Sequence, residues 1–211
     1  MSRYYPALLK LIGKRCVVIG GGWGTDERVR DLLSAGAVVT LVAADASAEL
    51  ARLASDGKIR WEARGYVRGD LDGAFLAIAC PADRAVNAEV WAEAEERGVP
   101  IDSIDDPAHS TFILPAIHRQ GDLIVSVSSS GKSPALATLI RDRIAQELGP
   151  EYGELLDLLG QLRPEVTSRF ASFERRRPIW HALARSGALD HLRAGDRAAA
   201  LAELRRVLET A

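Results

Sequence analysis

The residues most suggestive of chemistry are three consecutive glycines, Gly20-Gly21-Gly22, which follow an apolar run and precede a helical pattern. A glycine turn in this place lets the main chain approach a pyrophosphate closely, because no side chain stands in the way. Thr25 replaces the third small residue of the G-x-G-x-x-G/A fingerprint. We predict a dinucleotide site here, and a tight turn without a ligand is the alternative. The predicted cofactor contacts come from Gly20, Gly21, Gly22, Trp23, Gly24 and Thr25.

An acidic residue about 20 positions after such glycines commonly binds the adenosine ribose. Asp45 is the only nearby candidate for this role, and an ordinary helix N-cap before Leu50 explains it equally well. No basic residue stands beside Asp45 to hold a 2′-phosphate. The sequence therefore favours NAD over NADP as the cofactor.

A cluster of acidic residues, Asp102 to Pro107, follows the last predicted strand of the same sheet. At the carboxyl edge of such a sheet, where ligands bind, a carboxylate could accept a proton from a substrate or ligate a divalent metal ion. A solvated acidic turn closed by Pro107 is the alternative. His109 follows closely and is a candidate for substrate binding, although a lone histidine is most often only a surface residue.

A second polar loop, Ser128-Ser129-Ser130-Gly131-Lys132, precedes a predicted helix that begins at Ser133-Pro134. Its hydroxyls, amides and one ammonium group could bind an anion. The spacing required for a Walker loop fails because residue 126 is serine. An elaborate helix cap is the alternative interpretation. We take Ser128, Ser129, Ser130 and Lys132 as candidate substrate-binding residues.

The elements that must position these residues alternate between strand and helix in the first half of the chain. Short apolar runs are typical of buried parallel strands, and apolar residues at helical spacing separate them. This alternation predicts an α/β fold with a doubly wound, Rossmann-type parallel sheet. The predicted strands are 15–19, 38–42, 59–63, 75–80 and 99–104, and the predicted helices are 26–35, 47–55 and 85–97.

The pattern changes after Pro115. Strands at 111–117 and 123–128, with turn residues 119–122 between them, predict an antiparallel hairpin, and a helix is expected from Ser133 to about Leu148. The remainder is helical, with a break predicted at Arg175–Pro178 and two short helices after it. We therefore predict an NAD-binding domain at 1–115, a small α+β dimerisation segment at 116–150 and a helical domain at 151–211.

The composition excludes several classes of protein. The 211 residues carry a net charge of -2, which gives no general attraction to nucleic acid or to an anionic membrane. The two cysteines, Cys16 and Cys80, are far apart, which argues against a disulfide framework and a cysteine-based zinc site. The apolar runs are too short to span a membrane, and Met1–Pro6 does not begin a signal peptide. We expect a soluble cytoplasmic protein that acts on a small molecule.

The order and spacing of these motifs resemble the precorrin-2 dehydrogenase module, which occurs alone or as the N-terminal part of siroheme synthase. The similarity extends over nearly the whole chain, into the helical tail with its basic run at 174–177. The matching segments are residues 5–6, 11–14, 20–22, 32–37, 69–75, Asn87, 104–106, 112–115, 127–129, 133–137 and 160–163.

The resemblance implies a homodimer in which NAD takes a hydride from the tetrapyrrole precorrin-2 and leaves sirohydrochlorin, with ferrous iron or cobalt insertion as a second activity of some members. It implies that Asp105 removes the proton and handles the metal, that Ser129 faces the tetrapyrrole, and that Cys80 lies beside the cofactor. No methyltransferase domain occurs in the sequence, so we expect this chain not to make precorrin-2 itself. The altered glycine turn leaves two alternatives: a sirohydrochlorin chelatase with weakened NAD use, or a non-catalytic tetrapyrrole-binding protein.

Overall fold

A computed structural model of the chain describes residues 4–80 and 84–210. The chain forms two compact units, Met1–Leu114 and Pro115–Ala211. The predicted division into three domains stays a prediction, and each unit is described below by itself.

The first unit contains a five-stranded parallel sheet in the order β3-β2-β1-β4-β5. This arrangement confirms the predicted Rossmann-type α/β fold. Most predicted strands are correct to within one or two residues at each end. The strands are β1 (Arg15–Ile19), β2 (Val38–Val42), β3 (Ile59–Glu62), β4 (Leu76–Ala79) and β5 (Ile101–Ser103), and the helices are α1 (Thr25–Ser34), α2 (Ala48–Ser55) and α3 (Arg84–Arg97).

Helices cover both faces of the sheet, which explains why its central strands are apolar at nearly every position. Val18 of β1 packs with Val29 of α1 and Leu50 of α2 in one buried cluster. The neighbouring residue Val17 points to the opposite face and packs with Val90 of α3 in a second cluster. Since strand side chains alternate between faces, one continuous apolar run supplies both halves of the core.

Strand β1 lies between β2 and β4 and pairs in parallel with both. The strand order therefore reverses at the carboxyl end of β1, and a parallel sheet opens a crevice at such a point. The chain enters this crevice at Gly20, directly after Ile19. The fold thus places the glycine turn where open α/β sheets bind their ligands.

Glu93 on α3 is fully buried and fixes the loop that leads into β4. Its carboxylate accepts hydrogen bonds from the Tyr66 hydroxyl, the main-chain amides of Gly69 and Leu71, and Arg97 Nε at 2.6 Å. Burial by itself would raise the pKa of this carboxyl, but the donors outweigh it and the pKa lies below its ordinary value. Glu93 is therefore ionised and serves as a structural anchor.

Replacing Glu93 with alanine is expected to lower the free energy of unfolding by about 3 kcal/mol, because buried donors then lose a charged acceptor. Denaturant unfolding followed by circular dichroism measures this change. The control is Glu95→Ala, which removes an exposed carboxylate from the same helix. Equal stability of the two variants would show that Glu93 is not an anchor.

The second unit begins with a β-hairpin formed by β6 (Ala116–Gln120) and β7 (Leu123–Val127). The prediction that the first strand starts at residue 111 was wrong, because the amide of Thr111 donates to the carbonyl of Ile101 at 2.8 Å in the first unit. The predicted four-residue turn was also too long. Only Gly121 and Asp122 connect the strands, and Gly121 has a positive φ of 56°, as two-residue hairpin turns require at their first position.

Five helices complete the second unit: α4 (Pro134–Glu147), α5 (Pro150–Arg169), α6 (Phe173–Ala184), α7 (Ala188–Arg193) and α8 (Arg197–Glu209). The predicted break at Arg175–Pro178 was wrong, because α6 continues through Pro178. Proline removes one helical hydrogen bond, but Ile179, Trp180 and Leu183 pack α6 against the apolar cluster of this unit and keep the segment helical. Across the described ranges 4–80 and 84–210, no helix is long and apolar enough to cross a membrane.

Candidate active site

The glycine turn is held between the two strands that flank β1. The amide of Gly20 donates to the carbonyl of Val42 at 2.7 Å, and the amide of Gly22 donates to the carbonyl of Cys80 at 3.1 Å. Gly20 has a φ of 95°, a conformation that favours glycine. The turn is therefore fixed at the crevice before any ligand binds.

Gly21 lies against the main chain that follows β2. A Cβ atom at Gly21 would stand 2.3 Å from the carbonyl oxygen of Asp45, which is too close for any side chain. Asp45 is exposed beside this contact, as its predicted role at the ribose requires. The alternative that Asp45 is the N-cap of α2 was wrong, because Ser47 Oγ accepts from the amide of Leu50 at 3.2 Å.

The departure from the glycine fingerprint at Thr25 is accommodated by hydrogen bonds. Thr25 is buried, and its hydroxyl lies 2.8 Å from the carbonyl of Gly22 and 3.2 Å from that of Gly20. Gly24, the N-cap of α1, has no side chain to accept from the first amides of the helix. These amides keep their capacity to bind an anion. Trp23, another of the predicted cofactor contacts, lies between the glycine turn and this helix and is 80% exposed.

Cys80 contacts the turn through its main chain and lies deep in the first unit. Burial raises the pKa of its thiol to about 11, and the Thr25 hydroxyl offsets this only in part. The thiol is therefore protonated at neutral pH and is no nucleophile. Its predicted place beside the cofactor stays a prediction, for which the carbonyl bonded to Gly22 gives support.

Asp102 on β5 is a buried acid that the sequence analysis did not separate from the acidic turn after it. It is 8% exposed, and burial raises the pKa of its carboxyl to about 6, although the charge of Arg28 on α1 opposes the shift. Among the described residues, no acceptor reaches the buried Nε of Arg28. The charges of Arg28 and Asp102 thus act on each other, and both also act on the thiol of Cys80.

The raised pKa of Asp102 predicts that the free energy of unfolding falls as pH rises. Folding favours the protonated carboxyl of Asp102. The stability that this carboxyl contributes is complete below about pH 4 and is lost as the pH rises through its folded pKa of about 6. We expect Asp102→Asn to be more stable than the parent by about 2 kcal/mol at about pH 8, with no difference at about pH 4. Urea unfolding at both pH values tests this.

The control is Asp157→Asn, at an exposed position of α5, which should be as stable as the parent at both pH values. An Asp102→Asn variant that is less stable than the parent at high pH would contradict the account.

Asp105 lies in the turn directly after β5. The amide of Ile104 donates to the carbonyl of Ala79 at 2.9 Å, which extends the sheet to this point. The Cδ1 atom of Ile104 is 3.4 Å from the position of a Cβ at Gly24. The residue before Asp105 therefore borders Gly24, the N-cap of α1, and Asp105 itself is exposed with a φ of 58°.

His109 contacts two other side chains and is therefore not an isolated surface histidine. Its Nδ1 lies 2.8 Å from the Asp106 carboxylate, and its ring meets Trp91 edge-on with 6.0 Å between centroids. Asn87 Nδ2 reaches the same carboxylate at 3.4 Å. Neither Asp106 nor Asn87 was predicted as a site residue. The contact between them joins α3 to the turn after β5 and therefore depends on tertiary packing.

The serine loop lies in the second unit. Ser128 Oγ accepts from the amide of Ser130 at 3.1 Å, and Ser129 Oγ accepts from the amide of Ser133 at 3.0 Å. Ser133 Oγ caps α4 by accepting from Leu136. The predicted helix cap is thus present, and a serine hydroxyl that accepts can still donate one hydrogen bond. Lys132 is exposed.

The structure groups the predicted residues of each unit. In the first unit, the carboxyl edge of the sheet carries the glycine turn, Asp45, Cys80, and the acidic turn with His109. In the second unit, one loop carries the three serines and Lys132. Within residues 4–80 and 84–210, no three His, Cys, Asp or Glu side chains are arranged to hold a metal ion.

Three family models match the chain in succession. Residues 7–116 match the putative NAD(P)-binding family, residues 120–147 the central region of sirohaem biosynthesis proteins, and residues 151–208 the sirohaem synthase dimerisation region.

The curated relatives are similar over most of this chain. Siroheme synthase 3 of Aeromonas hydrophila subsp. hydrophila is 38% identical over 180 residues, which are 85% of this chain and 38% of the relative. The siroheme synthase of Chromobacterium violaceum is 37% identical over 203 residues, which are 96% of this chain and 43% of that protein. The chain therefore spans about two fifths of the length of the relatives that it matches.

The solved structure of SirC, a precorrin-2 dehydrogenase, has the same fold. The two structures superpose with a TM-score of 0.72 over 98% of each chain, at 22% sequence identity. The likeness to this structure and the three consecutive family matches both extend over nearly the whole chain. The chain belongs to the putative NAD(P)-binding family, whose model matches more than half of it, and its remaining residues match the central and dimerisation regions of sirohaem synthesis proteins.

Proposed function

We propose that the chain oxidises precorrin-2 to sirohydrochlorin with NAD, a step in the synthesis of siroheme. The observation that carries this proposal is the placement of Asp105. It follows β5, and its neighbour Ile104 borders Gly24, where α1 begins at the crevice in which the strand order reverses. The proposed dinucleotide site and an exposed carboxylate would then share one edge of the sheet, as hydride transfer coupled to proton removal requires.

The residues of the crevice fit the dinucleotide. Gly21 leaves bare main chain, and the first amides of α1 have no side-chain cap; both properties suit a pyrophosphate. Asp45 is exposed beside the turn, where its carboxylate would accept from a ribose hydroxyl and would repel a 2′-phosphate. We therefore propose NAD as the cofactor. When bound, NAD supplies the hydride acceptor.

Asp105 is proposed to take the proton that leaves precorrin-2 when the hydride departs. Its carboxylate is exposed and follows the last strand of the sheet, so a substrate can reach it. Asp102 lies too deep for this role, because it is only 8% exposed. Of the two aspartates, only Asp105 can meet a substrate.

The serine loop is proposed to bind carboxylates of the tetrapyrrole. Ser129 keeps a hydroxyl proton to donate, and Lys132 supplies a positive charge. In the first unit, His109 stays a candidate substrate-binding residue. The match of residues 151–208 to a dimerisation region supports a homodimer as the active assembly.

The experiment that tests the proposal supplies purified protein with precorrin-2 and NAD under anaerobic conditions. NADH absorbance should rise together with that of sirohydrochlorin, in equal amounts. Absence of NADH with substrate present would overturn the proposal, whether or not either ligand binds.

The proposal extends to metal insertion, with sirohydrochlorin and ferrous or cobaltous ion as substrates and Asp105 as the carboxylate that handles the metal. An exposed carboxylate is a suitable ligand for such an ion during transfer. The same assay run with and without metal tests this step, because metallation changes the absorbance of the macrocycle. An unchanged spectrum after sirohydrochlorin has formed would limit the chain to oxidation.

A further inference from the structure

Asp105 has an unusual main-chain conformation. Its φ of 58° lies in the left-handed region, where Asp105 and Ser130 are the only non-glycine residues in the described parts of the chain. The amide of Asp106 donates to the carbonyl of Ser103 at 3.0 Å and closes a four-residue turn with Asp105 at its third position. Turns with a positive φ there favour glycine, so an aspartate must be held by its surroundings.

The residue that closes this turn, Asp106, is anchored from several directions. Its carboxylate receives Asn87 Nδ2 at 3.4 Å and His109 Nδ1 at 2.8 Å. Because an ionised carboxylate can only accept, the histidine donates from Nδ1. The carbonyl of Asp106 accepts from the amide of His109 at 3.1 Å and from Ser110 Oγ at 3.0 Å.

The anchors themselves rest on rigid elements. Asn87 and Trp91 are four residues apart on α3 and therefore share one face of the helix. Asn87 is buried, and Trp91 packs edge-on against the ring of His109. On the other side, Ser103 of β5 donates from its Oγ to the carbonyl of His109 at 2.8 Å. Helix α3 and strand β5 thus both hold the segment from Asp106 to His109.

We propose that Asp106 is a positioning residue whose carboxylate, held by His109 and Asn87, keeps the main chain of Asp105 in the left-handed conformation that presents its carboxylate to the substrate. The inference rests on the proposed function of Asp105. It assigns Asp106 no contact with substrate or cofactor, so its effect must pass through Asp105. Preorganisation of this kind matters because a small displacement of a catalytic group lowers the rate steeply.

A double-mutant cycle tests the proposal. Asp106→Ala should lower kcat for precorrin-2 oxidation about 10-fold or more, with unchanged affinity for NAD in calorimetry. In the Asp105→Ala background, the same substitution should have no further effect on kcat, because the group that Asp106 positions is gone. A loss of equal size in both backgrounds, or an unchanged kcat in the single variant, would overturn the inference.

Conservative variants distinguish positioning from general damage. Asp106→Asn keeps an oxygen that accepts from His109, so it should retain most of kcat. The control Glu95→Ala, an exposed carboxylate on α3, should leave kcat unchanged. If Asp106→Asn is as slow as Asp106→Ala while both fold, the hydrogen-bonded anchor is refuted.

A measurement without turnover separates this inference from the proposed function. The heteronuclear NOE of the Asp105 amide should match that of β5 in the parent and should drop in Asp106→Ala. A parent that is inactive but shows this drop would refute the proposed function and leave the anchored turn intact. An unchanged NOE in the variant would refute the anchor, whatever the activity.

Discussion

Replacing Asp105 with alanine is expected to lower kcat for precorrin-2 oxidation by about 100-fold or more, the range typical for loss of a general base. The physical reason is that an exposed carboxylate beside the crevice is then absent, while the glycine turn is unchanged. NAD affinity in calorimetry should therefore equal that of the parent. Stopped-flow absorbance of NADH formation measures the rate under single-turnover conditions.

The folding of Asp105→Ala should be nearly normal, because the side chain is exposed and its removal leaves no buried group unpaired. Thermal unfolding followed by circular dichroism checks this point. Glu95→Ala is the matched control, since it removes an exposed carboxylate from α3 without touching the acidic turn. A parent-like rate in Asp105→Ala would remove the residue from the mechanism.

Replacing Gly21 with alanine is expected to weaken NAD binding by about 100-fold, a loss of roughly 2.7 kcal/mol. The new Cβ would stand 2.3 Å from the carbonyl oxygen of Asp45. Neither atom belongs to a flexible side chain, so the main chain of the turn must shift. The amides that face the pyrophosphate then move with it. Calorimetric titration of NAD measures the affinity directly.

Gly65→Ala is the control for Gly21→Ala, because a Cβ at Gly65 meets no atom within 4 Å. Both substitutions add one methyl group to the first unit, but only the first alters the crevice. Parent-like affinity in Gly21→Ala, together with normal folding, would show that the dinucleotide does not use this turn.

Much of the first unit could be predicted from the sequence, because local signals and tertiary structure agree there. The run Arg15–Ile19 is β-rich and ends at glycine, and the structure places β1 at those residues. Where the two disagree, tertiary packing prevails. Pro178 signals a break, yet the apolar face of α6 packs against its neighbours and the helix continues. Thr111 favours a strand, but its hydrogen bonds go to Ile101.

The candidate site was predictable only where chemistry follows from consecutive residues. The glycine turn and the acidic turn each form a continuous motif, and the fold brings them to one edge of the sheet. The burial of Asp102 and the effect of Arg28 on it could not be foreseen, because they depend on tertiary packing between residues that are far apart in the chain. The contact between Asn87 and Asp106 likewise joins residues 19 positions apart through α3.

The most direct test of the central claim is a crystal structure of the chain with NAD bound. The account predicts that the pyrophosphate lies against the main chain of Gly20–Gly22 and the first amides of α1, with the ribose near Asp45 and the nicotinamide toward Asp105. Electron density for the nucleotide at any other place would contradict the account. So would a Trp23 side chain that lies across the crevice where the nucleotide is expected.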